Sequence, residues 1–335
     1  MATAVVDTLL ASAEPSIRWK TRVHVLGEEP ESRAIRRLQG EVRRSPRVRR
    51  LLAGHAELLP PTYDKWQGAH WVLASLADLG YPAGDKELRP VVDGVLETWL
   101  APSYFRESES GSKAASYRTR AVPLIDGRYR RCGSQHGSAL LSVVRLAPAD
   151  DRAEQLVERL LHWQWPDGGW NCDRKAEASS SSVHETLLPM RGLSAYAAAS
   201  GDAAAKDGAR RAAEVLLDRR VLFRRSTGRL VHHDWAKLHY PAYWHYELLG
   251  ALKGLAELGL VGDERCTDAL DRLADARLPD GGWPAQARYY KGVGGDRPHF
   301  ELVDWGGVDA RAMNPWVTVD ALAVLRAAGR DSAGG

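Results

Sequence analysis

Sulfur and phenylalanine are scarce in this chain, with three Cys, three Met and three Phe among 335 residues. The cysteines, Cys132, Cys172 and Cys266, are odd in number and share no Cys-x-x-Cys spacing. That speaks against a disulfide framework and a thiolate zinc knuckle, and it fits a reducing cytoplasm. Missing too is any run of the ~20 apolar residues that a membrane span needs, and the mildly apolar opening, residues 2–13, has no basic lead. Neither a span nor export is expected. Charge of one sign is not in excess either, the formal net charge being only +3. Yet Arg36, Arg37, Arg43, Arg44, Arg47, Arg49 and Arg50 crowd one stretch. It reads as a solvated helix face, with a patch for an anionic ligand or for peripheral contact to a membrane surface as the alternative; nucleic acid is not expected as a partner.

What is present is a repeat. An apolar helical segment recurs at residues 63–80, 132–147, 182–200, 243–259 and 314–329. Four copies run into turns holding Gly84-Asp85, Asp150-Asp151, Gly201-Asp202 and Gly262-Asp263, where an Asp can cap the next helix. Charged partner helices follow at residues 86–100, 152–165, 203–220 and 264–278, with Leu or Val at three- and four-residue spacing. Apolar helices alternating with amphipathic ones imply an inner ring inside a wetter outer ring. The expected fold is all-α, an (α/α)5–6 toroid forming one domain over residues 1–335, in which residues 1–60 close the ring and 61–330 carry the helix pairs. Period-2 alternation is confined to residues 222–232, a candidate small hairpin around Thr227-Gly228. The long loops at residues 101–131 and 288–312 are candidates to carry function.

Gln164-Trp165-Pro166-Asp167-Gly168-Gly169-Trp170 ends one outer helix, and Arg277-Leu278-Pro279-Asp280-Gly281-Gly282-Trp283 ends another. Pro presets φ, the glycines accept positive φ, and the Trp can fold back onto the preceding helix. The first copy resembles the Gln-x-x-x-Gly-x-Trp motif of squalene-hopene and oxidosqualene cyclases. The whole arrangement looks like one toroid of the terpene cyclase and protein prenyltransferase superfamily. The resemblance implies a cavity lined by the starts of the inner helices. Ser182-Val183-His184-Glu185-Thr186 then stands where class II cyclases carry Asp-x-Asp-Asp-Thr, with His184 in place of the strong acid.

The candidate catalytic residues are therefore His184 and Glu185, with His136, His245, Glu247 and Asp64 as further acid-base groups expected to converge. The candidate substrate-binding residues are Tyr63, Trp66, Gln67, Gln135, Tyr243, Trp244, Tyr246, Trp305 and Trp316, whose aromatic faces could stabilise cations. Twelve Trp beside three Phe make that set conspicuous. A zinc reading through Cys172, Asp173 and His184 lacks the Asp-x-Cys order of the prenyltransferases, so no metal and no cofactor are expected. The His232-His233-Asp234 loop with His239 reads as surface, and Asp150-Asp151 as a helix cap rather than a magnesium motif. The expected function is a terpene cyclase-like enzyme acting by acid-base chemistry on an isoprenoid or other apolar small molecule. The alternatives are a glycoside hydrolase or lyase using Glu185 and Glu247 as paired carboxylates, and a toroid that binds a ligand without catalysis.

Overall fold

The computed structural model describes residues 2–53, 62–295 and 297–330. Among them the α-helices are, in chain order, α1 (Ala2–Leu10), α2 (Pro15–Lys20), α3 (Arg33–Arg43), α4 (Pro46–Leu52), α5 (Ala69–Leu79), α6 (Arg89–Trp99), α7 (Pro102–Phe105), α8 (Lys113–Ser116), α9 (Gly133–Leu146), α10 (Arg152–Trp163), α11 (Val183–Ser200), α12 (Ala203–Leu217), α13 (Leu248–Glu257), α14 (Thr267–Asp275) and α15 (Pro315–Ala327). The described residues are predominantly helical with few strands, the class expected from the sequence. The chain separates into two compact units, Met1–Pro82 with Arg219–Gly335, and Ala83–Asp218. The boundary expected between residues 60 and 61 lies outside the described residues.

The alternation of apolar and amphipathic helices has a direct cause in burial. Along α9 almost every side chain is buried, whereas α10 buries Ala153, Leu156, Val157, Leu160 and Trp163, the three- and four-residue spacing of one face. Aspartates cap as their positions suggest: Asp202 accepts from Ala205 N at 2.6 Å and Asp263 from Arg265 N at 2.9 Å. In the second unit α11 packs against α9 and α12. The α9–α11 approach needs a glycine, since a Cβ on Gly137 would lie 2.2 Å from the Pro189 nitrogen.

Two expectations change. Strands appear where none were expected, at β1 (Glu107–Glu109), β2 (Val122–Ile125) and β3 (Arg128–Tyr129), with β1 parallel and β3 antiparallel to β2. The small hairpin expected at residues 222–232 is present in minimal form, an antiparallel bridge from Phe223 to Leu230 flanked by Arg224 N to Arg229 O and Val231 N to Leu222 O. Two apolar helices also start later than the pattern suggests. Gly68 is extended and α5 begins at Ala69; Tyr243 holds φ at 50° and α13 begins only after Glu247. Tyr63, Trp66, Gln67, Tyr243, Trp244, His245 and Tyr246 therefore lie on irregular segments ahead of their helices.

The two Asp-Gly-Gly-Trp turns are built alike. In one, Trp165 N donates to Gly169 O, Trp170 Nε1 donates to Leu160 O at 2.9 Å, and Trp170 N donates to Thr186 Oγ1 on α11. In the other, Leu278 N donates to Gly282 O, Trp283 Nε1 to Leu273 O at 2.7 Å, and Trp283 N to Thr318 Oγ1 on α15. Gln164 Nε2 ties down Gly168 O and Gly208 O, and Arg277 Nε does the equivalent work on Gly281 O. Each turn thus joins the end of one helix to the start of the next apolar helix.

In the first unit a buried ionic group joins helices far apart in sequence. Lys20 Nζ, on a side chain only 1% exposed, lies 2.7 Å from Asp78 and 2.9 Å from Asp320. Lys253 Nζ bridges the same two carboxylates at 2.7 and 2.8 Å. Tyr240 adds its hydroxyl to Asp78 at 2.8 Å. Burial pushes the Asp78 pKa up, but the charges and hydrogen bonds of Lys20 and Lys253 outweigh it and hold the carboxyl well below its ordinary value.

Two predictions follow from these contacts. Lys20→Met leaves both aspartates short of a partner and costs about 3–5 kcal/mol in urea unfolding. Asp78 takes up its proton less readily folded than unfolded, so its contribution is complete above about 3.8 and is lost as pH falls below that value. An acid unfolding series on Lys20→Met loses less stability over that window than the unaltered chain. At the turn, Gly168 has φ of 98° and a Cβ there would lie 2.3 Å from Arg211 O. Gly168→Ala is expected to lower the melting temperature more than Gly201→Ala, where φ is 79° and nothing lies within 4 Å of the Cβ.

Candidate functional site

The first unit gathers an aromatic wall from three segments. Trp66 and Tyr243 stack with centroids 3.8 Å apart and planes 9° from parallel, and Trp71 meets Trp66 edge-on at 4.9 Å. Tyr63 leans on Trp71 at 5.2 Å. Tyr289 is sandwiched between His245 at 3.6 Å and His239 at 4.2 Å, and Trp244 lies on the outer face of His245 at 4.2 Å. Lys65 Nζ sits 5.0 Å from the Trp244 ring and 5.5 Å from Trp66. Tyr63, Tyr243, Trp244, His245 and Tyr289 are all half-buried, so each keeps part of its surface open. A left-handed Tyr costs about 1–3 kcal/mol, which at Tyr243 is offset by the flat stacking on Trp66.

Behind the wall is Glu301, 1% exposed. Its carboxylate accepts from the Tyr243 hydroxyl and from Leu302 N. Burial pushes the Glu301 pKa above its ordinary value, against the bonds from Tyr243 and Leu302 N and the charge of Arg47. Burial, with Glu301 alongside, likewise pushes the Tyr243 hydroxyl well up. Sequence reasoning missed Glu301, His239 and Tyr289 as members of this site. The only signals were the length of the 288–312 loop and the histidine set aside as surface.

Other candidates in this unit have evident local partners. Glu247 is the N-cap of α13, accepting from Leu249 N at 2.9 Å and from Gly250 N. Burial pushes its pKa up to about 8 against those bonds. Gln67 Nε2 donates to Gly295 O at 2.8 Å, and the backbone carbonyl of Asp64 accepts from Gln67 N and Gly68 N. Tyr246 is wholly buried and donates its hydroxyl to Val221 O. Trp305 and Trp316 are buried at right angles with the Arg47 guanidinium over both rings.

The second unit holds the rest. Glu185, in the first turn of α11, accepts at Oε2 from Ser134 N at 3.0 Å and Ser134 Oγ at 2.8 Å, and its Oε1 receives the Cys172 thiol at 3.3 Å. Cys132, the residue preceding α9, stands with them. His136 is wholly buried among Trp99, Trp163 and Tyr104, and His184 and Gln135 are half-buried. His136, His184 and Glu185 thus belong to one unit, and His245, Glu247 and Asp64 to the other. The carboxylates paired in the glycosidase alternative, Glu185 and Glu247, are divided in the same way.

No family model and no curated protein matches the chain. Solved structures do. The unsaturated glucuronyl hydrolase of Bacillus sp. GL1, described as responsible for the degradation of glycosaminoglycan, is 15% identical and superposes at a TM-score of 0.45 over 93% of this chain and 84% of its own. A variant of a protein abbreviated UGL, solved with the saccharide dGlcA-Glc-Rha-Glc, is 14% identical at a TM-score of 0.44 over the same shares, 93% and 84%. A protein from Actinoplanes is 18% identical at 0.43, over 98% of both chains. At these identities the likeness concerns fold alone.

These findings correct the terpene cyclase and prenyltransferase resemblance, because the named structures found are unsaturated glucuronyl hydrolases. The cyclase activity and the apolar substrate fall with it, since the named structures are associated with saccharides. The physical reason is that Gln164 and Trp170 spend their hydrogen bonds on backbone carbonyls, so the motif reports a turn rather than a reaction. Among the described residues no helix is long and apolar enough to cross a membrane.

Proposed function

We propose that this chain is a carbohydrate-active enzyme of the glycosidase or lyase kind, acting on a polar saccharide at the aromatic wall of the first unit. The observation that carries this reading is the buried Glu301 carboxyl bonded to the half-exposed Tyr243, whose ring lies flat on Trp66. Sugar rings present C–H faces that pack on aromatic planes, while their hydroxyls need a few fixed polar groups at the rim. Here Lys65, Asp64 and Gln67 stand on the same segment as Trp66. A carboxyl whose pKa is raised keeps its proton at higher pH and can deliver it to a leaving oxygen, and Tyr243 links Glu301 to the open side of the wall. Asp64 and His245, half-buried on the two flanking segments, are the candidates for the base.

Assays on glycosaminoglycan digests and on acidic and neutral oligosaccharides test this. Glu301→Gln is expected to lower kcat about 10²- to 10⁴-fold with little change in KM. Activity falls as pH rises through the Glu301 pKa, which lies above the ordinary 4.5. Tyr243→Phe removes both the link to the open side of the wall and a bond that lowers that pKa, so kcat falls and the alkaline limb of the remaining activity moves to higher pH. Full kcat in Glu301→Gln would sink the reading. Saccharide binding without turnover would leave a binding protein in its place, and neither binding nor turnover would leave nothing of it.

A further inference from the structure

Two of the three cysteines and one carboxylate, far apart in the chain, converge in the second unit. The ligand atoms of Cys132, Cys172 and Glu185 all lie within 4.8 Å of one another. Three ordered elements hold them: Cys132 precedes α9, Cys172 follows the Trp170 turn by two residues, and Glu185 is on the first turn of α11. These elements are clamped. A Cβ on Gly133 would lie 2.8 Å from the Trp170 ring and 3.0 Å from Glu185 O, and Trp170 N donates to Thr186 Oγ1.

The Glu185 carboxylate is also aimed. Ser134 occupies Oε2 with two hydrogen bonds, leaving Oε1 toward the Cys172 sulfur at 3.3 Å. Around a tetrahedral ion, Zn–S bonds of about 2.3 Å and Zn–O bonds of about 2.1 Å place ligand atoms roughly 3.5–3.8 Å apart. A shift of a few tenths of an ångström brings the observed sulfur–oxygen pair to that spacing. Two sulfurs and one oxygen are a donor set for a thiophilic ion, not for magnesium or calcium.

The surrounding charge fits a metal as well. Two thiolates and a carboxylate around a divalent cation leave one excess negative charge. Arg131, half-buried and next to Cys132 in the chain, brings a guanidinium close enough to interact with Cys132, Glu185 and Cys172. Its guanidinium rests 4.5 Å from the Tyr104 ring, and its Nε and Nη2 find no hydrogen-bond acceptor among the described residues.

We propose that Cys132, Cys172 and Glu185 bind a zinc ion, with Arg131 balancing the charge and a fourth position open to water or a ligand. Three protein ligands plus one open position is the arrangement of zinc sites that react rather than merely brace. Sequence spacing could not reveal it, because no two of the ligands sit in a short motif. It departs from the expectation of no metal, and it does not rest on the saccharide reading, since it is tested without substrate.

The full chain, stripped with a chelator and titrated with zinc chloride, is expected to take up one equivalent, counted by native mass spectrometry. Cobalt(II) in its place should give thiolate-to-metal charge-transfer absorption in the near ultraviolet, a readout that needs no variant. Cys132→Ser, Cys172→Ser and Glu185→Gln should each weaken zinc binding by about 100-fold or more, and Ser134→Ala by about 10- to 100-fold through loss of carboxylate orientation. Cys266→Ala should leave the stoichiometry and the cobalt spectrum unchanged. Absence of the cobalt band together with no bound zinc in the unaltered protein would overturn the proposal. So would undiminished zinc in a folded Cys132→Ser/Cys172→Ser double variant, or a Cys132–Cys172 disulfide that persists under thiol reductant with zinc in excess.

Discussion

An indole N–H bonded to a carbonyl ten residues upstream is the contact on which both units depend. Trp170 and Trp283 are each buried, and each also gives its backbone N–H to a threonine hydroxyl on the next apolar helix. A net hydrogen bond contributes only about 1 kcal/mol, but a buried polar group left without one costs about 1–3 kcal/mol. The turn can therefore close only with the outer helix end, the loop and the following helix in one arrangement. What lies just past each turn inherits that position. Cys172 comes two residues after Trp170, Glu185 one residue before the threonine that holds it, and in the other unit Asn314 caps α15 while its N–H bonds Trp283 O.

The same contact explains why the family resemblance misdirected the chemistry while the alternation of helices was legible. Periodic apolar residues, capping aspartates and the Pro-Asp-Gly-Gly turn are local, and their consequences appear within a few residues. Arg277 replacing Gln164 without loss of the backbone tie shows that this position is about carbonyl satisfaction. The groups of the two proposed sites are not local. Tyr243 and Glu301 are 58 residues apart, and Cys172 and Glu185 come together with Cys132 only through a helix crossing that needs Gly133 and Gly137. Glu247, conspicuous beside His245 in sequence, takes up two backbone N–H groups at a helix start, a role that its spacing could not separate from catalysis.

The charges follow a similar division between local and distant. The Arg-rich stretch is amphipathic, with Ile35, Leu38 and Val42 inward and Arg36 outward beside Glu31, as its spacing suggests. Arg47 departs from it by reaching Glu14 and covering Trp305 and Trp316. A residue from the segment read as a wet face thus helps cover two of the largest buried rings.

The salt-bridged core of the first unit draws on segments from both sides of an insertion, because Lys20 meets Asp320 while an entire second unit lies between Pro82 and Arg219 in the sequence. During synthesis the inserted unit has all of its residues in hand long before the interrupted one does. Lys20 and Asp78 are made before the inserted unit, whereas Lys253 and Asp320 come after it, so the full ionic group can close only once α15 has been synthesised.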